Sequence, residues 1–132
     1  MEARDYPRDH VAFVAAGYND ACTNFQVQFN RFEFDLLQKA ITNVGSYNEY
    51  QGRLVAAAFK KIEHLALSAE FGREGSPVLY VRLRREDIGE PGKGNPIGAD
   101  EVMKTFTEMR KSRPDAAGVD RFDNALLRFW WD

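Results

Sequence analysis

Between Phe25 and Leu36 the chain alternates apolar and polar residues twice, as Phe25-Gln-Val27-Gln-Phe29 and again as Phe32-Glu-Phe34-Asp-Leu36. Strict alternation is the signature of a strand with one covered face. With Asn30-Arg31 as a two-residue loop, the pattern predicts a hairpin pairing Phe29 with Phe32, Val27 with Phe34 and Phe25 with Leu36. A second reading competes with it. Val11, Val14, Tyr18, Ala21, Phe25, Phe29, Phe32 and Leu36 recur every three or four positions, as one stripe of a long helix over residues 9–44 would. That helix would need a second apolar face for Val27, Phe34, Leu37 and Ile41, and Phe and Val favour strands, so the hairpin is preferred.

Upstream, His10–Ala16 suits a further strand, turned at Gly17–Asp20. Downstream, Asp35-Leu-Leu-Gln38 has capping-box spacing and predicts a short helix to about Asn43. Ser46-Tyr-Asn-Glu49 is another such box, and Leu54, Val55, Ala58, Phe59, Ile62, Leu65, Ala66 and Ala69 follow at helical spacing. Together they predict a helix ending between Gly72 and Gly75. Val78–Arg84 is a strand, with Leu79, Val81 and Leu83 on one face and Val78, Tyr80, Arg82 and Arg84 on the other. A Gly/Pro-rich loop spans 87–99. Two more helices, about 100–111 and 115–131, complete the chain. The expected fold is α+β: a small antiparallel sheet, a three-strand meander plus one strand, covered on one face by about four helices. A mostly α fold is the alternative.

Composition narrows the class. The 132 residues are 44% hydrophobic and 29% charged, which suits a single domain with its own core and no disulfide framework. One cysteine, Cys22, forms no internal bridge, and no apolar run is long enough to span a membrane. A cytoplasmic location is expected. The net charge of −2 argues against nucleic-acid binding as the main task, though not against a local basic patch.

Candidate chemistry is sparse. The loop Gly89–Gly98 lies between strand and helix, where phosphates are often cradled, but it lacks both common phosphate-binding patterns. Asp100 and Glu101 also place acid in the first turn of the helix. Neither His10 nor His64 has a metal-ligand partner at recognised spacing, so no metal, cofactor or catalytic residue is assigned. Arg82, Arg84 and Arg85, with Tyr80 beside the first two, form a strip able to hold phosphate or carboxylate groups, or else a solvated sheet face. Phe129-Trp130-Trp131 is the other candidate. On a helix, three consecutive residues sweep about 200°, so one face cannot bury all three rings. Either the chain end folds back over the core, or one ring, Trp131 before the others, stays exposed and anchors a partner.

The sequence therefore predicts a non-enzymatic interaction module of a bacterial or mobile-element type. It is expected to be homodimeric or to bind another protein through Phe129–Trp131, with nucleic acid a lesser option. A small-molecule-binding domain or enzyme is the alternative, its pocket lined by aromatic rings between sheet and helices.

Overall fold

A computed structural model describes residues 24–44, 46–47, 50–84, 97–121 and 125–131. The first alternating segment is a strand, β1 (Asn24–Asn30), with Val27 and Phe29 buried and Gln26 and Gln28 exposed. The second is not a strand. Asn30 accepts a hydrogen bond from the Phe32 N–H, and the Glu33 carboxylate accepts one from the Asn30 N–H at 2.9 Å. This reciprocal cap turns the chain through a 3-10 turn (Arg31–Glu33) into helix α1 (Phe34–Asn43). The expected hairpin is thus replaced by strand, capped turn and helix. Phe34, Leu37, Ala40 and Ile41 bury one face of α1. The long-helix reading of 9–44 fails for 24–30, which is extended. The strand and turn expected at 10–20 lie outside the described residues.

Two short strands, β2 (Ser46–Tyr47) and β3 (Tyr50–Gln51), pair before helix α2 (Gly52–Ile62). The Ser46–Glu49 box therefore does not cap α2, which starts at a glycine because of crowding. A Cβ at Gly52 would collide with the Ile41 carbonyl oxygen at the end of α1. The helix also ends early. After a 3-10 turn (Glu63–Leu65) the chain becomes β4 (Ala66–Glu74), then turns at Gly75 (φ +75°) into β5 (Ser76–Leu83). Leu65–Phe71 has helical spacing and helix-forming residues. Pairing with β1 on one side and β5 on the other outweighs that local preference.

Helix α3 (Ile97–Thr107) falls close to expectation. The last predicted helix does not form. Instead β6 (Ala116–Arg121) and β7 (Leu126–Trp130) pair antiparallel, and the sheet order is β1-β4-β5-β7-β6, antiparallel at every described pairing. The fold is α+β, with a five-stranded sheet and three α-helices among the described residues.

Register aligns the core. Val27, Phe71, Leu79 and Phe129 form one cross-strand row, and Phe29, Ala69, Val81 and Leu127 form the next. All eight are buried in one cluster with the inward residues of the three helices. The edge-on packing of Phe34 and Phe59, 4.9 Å between centroids, joins α1 to α2. The sheet's other face carries a separate small cluster of Val78, Tyr80 and Leu126, with Trp130 against it. No helix among the described residues is long and apolar enough to cross a membrane.

Candidate functional site

The strand conformation of β7 answers the packing problem posed by three consecutive rings. Successive side chains on a strand point to opposite faces. Phe129 and Trp131 enter the main core and are fully buried, while Trp130 lies half-buried on the other face. Trp131 does not stay exposed. Its ring packs edge-on against Tyr50 at 5.5 Å, and its indole N–H donates to the Ser112 carbonyl. Ser112 is itself buried, adopts φ +62°, and accepts the Gln51 N–H on its hydroxyl at 2.8 Å. Trp131 thus ties the C-terminal strand to the segment after α3 and to β3.

On the opposite face, residues from four strands meet at one carboxylate. Glu74, at the end of β4, accepts the Arg128 guanidinium at 2.6 and 3.1 Å, the Tyr80 hydroxyl at 2.7 Å and the Gln26 amide at 2.9 Å. The Trp130 indole N–H donates to the Glu74 carbonyl at 3.2 Å, and the Arg128 guanidinium lies 5.9 Å from the Trp130 ring centre. Partial burial would raise the Glu74 pKa. Hydrogen bonds from Tyr80 and Arg128, with the arginine charge, outweigh it and hold the carboxyl below the ordinary glutamate range. Burial, followed by the hydrogen bond to Glu74, pushes the Tyr80 hydroxyl up. A carboxylate with four donors, ionised at neutral pH, is a poor proton acceptor. The cluster serves as a clasp that holds β1, β4, β5 and β7 together across this face.

These contacts relocate the predicted arginine strip. Tyr80 is 9% exposed and committed to Glu74, with Arg128 as its cationic neighbour. Arg82 is exposed two residues along β5, Arg84 is exposed just past the strand, and Arg85 lies outside the described residues. The sequence reading missed Glu74, placed in a helix-ending loop, and Arg128, placed on a helix.

The end of the sheet nearest Arg82 carries a feature of another kind. Phe32 is 94% exposed at the centre of the capped turn. Leu67, at a register shift in β4, is 41% exposed. Its neighbour Ser68 pairs with Asn30 on one side and with Arg82 on the other. Arg31, Asp35, Glu63 and His64 line, with Phe32 and Phe34, a shallow depression of about 290 Å³. The cap makes this display rigid, because both Asn30 and Glu33 anchor the turn that carries the ring. The sequence held a signal for it. Asn30-x-x-Glu33 is a capping-box spacing, and it directs Phe32 outward.

A larger groove, about 860 Å³, lies between α2 and α3 on the outside of the molecule. Its floor includes Leu54, Ala58 and Met109, and Lys61, Lys104 and Lys111 stand around it. Between sheet and helices the aromatic rings lie against one another. Phe106 meets Phe129 at 4.4 Å and Trp131 at 6.2 Å. Among the described residues no group of three His, Cys, Asp or Glu side chains is placed to hold a metal ion. Cys22, His10 and the glycine loop before Ile97 lie outside the described residues. No protein-family model matches the chain, and comparison with curated proteins and with solved structures finds no match.

Proposed function

We propose that this protein is a non-enzymatic interaction module that docks another protein through the sheet end bearing Phe32. The observation that carries this reading is the 94% exposure of a phenylalanine held on a hydrogen-bonded cap. Covering such a ring on binding removes enough apolar surface from water to contribute roughly 1.5–3 kcal/mol. Because the turn is already fixed, little ordering cost offsets that gain. Leu67 is a second exposed apolar side chain at this end of the sheet, and the depression beside Phe32 carries both signs of charge, Arg31 with Asp35 and Glu63. The complementary surface is an apolar pocket with a polar rim of mixed charge. The surroundings of Trp130 suit it to the Glu74 clasp, and Phe129 and Trp131 are core residues, so Phe32 takes the anchoring role that the sequence assigned to Phe129–Trp131.

The test is affinity capture from the source cell with wild type, Phe32→Ser and Arg31→Glu side by side. The reading requires a defined protein to be enriched by wild type and lost with both variants. Identical capture profiles for all three would overturn it.

A further inference from the structure

The groove between α2 and α3 combines an apolar floor with a basic rim. Leu54, Ala57, Ala58 and Lys61 lie at i, i+3, i+4 and i+7 along α2 and form one stripe facing it. Ala58 is buried and Ala57 is exposed. Leu54 is half-buried without joining either apolar cluster among the described residues. Its side chain therefore shows the groove apolar surface that the core does not take up. Met109, just past α3, supplies the facing apolar surface.

The rim is charged mainly with one sign. Lys61, Lys104, Arg110 and Lys111 line the groove against a single acid, Glu108, in a chain whose net charge is −2. All four cations are exposed, and none forms an ion pair among the described residues. The helix dipole favours cations in a last turn, which accounts for Lys61 on α2 and Lys104 on α3 taken singly. It does not account for Arg110 and Lys111, which follow α3, or for all four meeting around one apolar floor. Like charges gathered beside apolar surface raise the local potential that attracts an anionic partner.

We infer that this groove docks an acidic amphipathic helix of another protein, with its apolar stripe on Leu54, Ala57, Ala58 and Met109 and its carboxylates on the four cations. Leu54 to Lys61 spans about 10 Å of α2, so the occupant engages through two to three turns, with apolar anchors at helical spacing. Charge complementarity selects an acidic segment, and the apolar floor selects one with an apolar face. A nucleic-acid strand fits less well, because no aromatic ring lines the groove to stack a base. The inference does not rest on the Phe32 reading, since no residue lines both depressions.

The test titrates the full chain into a fluorescent peptide of about four helical turns, with leucine at i, i+3, i+4 and i+7 and glutamate elsewhere, read by anisotropy and by amide NMR shifts. Saturable binding that weakens as salt rises is expected, with shift changes centred on residues 54–61 and 104–111. Lys61→Glu combined with Lys104→Glu should lower the affinity about tenfold or more. Both lysines are exposed, so circular dichroism melts should match wild type. Ala57→Glu, which sets an acid on the floor and removes no cation, should cause a similar loss, whereas Phe32→Ser should bind the peptide as wild type does. No binding up to about 1 mM overturns the inference. So does equal binding of a peptide with its leucines scrambled out of helical spacing, tighter binding of a single-stranded oligonucleotide, or wild-type affinity in both groove variants. Loss of binding in Phe32→Ser alone would overturn it too.

Discussion

At the scale of single residues, the two tryptophans at the C-terminal end are neighbours with opposite duties. Trp131 is fully buried and hydrogen-bonded, so Trp131→Ala is expected to cost about 3–5 kcal/mol in urea or guanidinium unfolding. Trp130→Ala should cost markedly less, since that ring is only half-buried where it covers Val78 and the Glu74 clasp. The clasp itself makes a pH prediction. Its carboxyl has a lower pKa folded than unfolded, so it stabilises the fold above the unfolded value of about pH 4 and loses that contribution as pH falls through the folded value. Glu74→Gln should therefore be less stable than wild type at neutral pH, by about 1 kcal/mol given the partial exposure, with the gap closing in acid. A gap that widens in acid would mean that the ionised form is not the stabilising one.

At the scale of elements, residue periodicity was legible where one neighbour dominates. The faces of β5 and the approximate position of α3 follow from spacing alone. It failed where long-range pairing decides. Leu65–Phe71 is helical by spacing and propensity, yet it forms the strand between β1 and β5. Phe32–Leu36 alternates like a strand, but the Asn30–Glu33 cap fixes a helix start first. The run Leu126–Trp131 shows period two once Phe129 and Trp131 are assigned inward, and the impossibility of burying three rings on one helix face was itself the clue. The Glu74 clasp was not legible, since its members come from four strands distant in sequence. Two variants test these elements. Asn30→Ala should cost about 1 kcal/mol through the lost cap. Gly72→Ala should cost more, about 1–3 kcal/mol or above, because a methyl group there collides with the Phe25 carbonyl of β1. Both are read by chemical denaturation. A neutral Gly72→Ala would mean that β1 and β4 are not packed so closely.

At the scale of the whole molecule, among the described residues, helices cover one face of the sheet and a polar clasp holds the other, while the Phe32 turn stands exposed at one end. At that turn, exposure is a cost that folding does not require. Phe32→Ser should leave the melting temperature unchanged within error while removing partner capture, the behaviour of a recognition residue and not of a core one.

The most direct test of the docking reading is photo-cross-linking in the source cell with a benzophenone amino acid at position 32, compared with the same probe at the exposed position 28. The account predicts a discrete adduct with a second protein from position 32 and none from position 28. No adduct at position 32, or the same adducts from both positions, would contradict it.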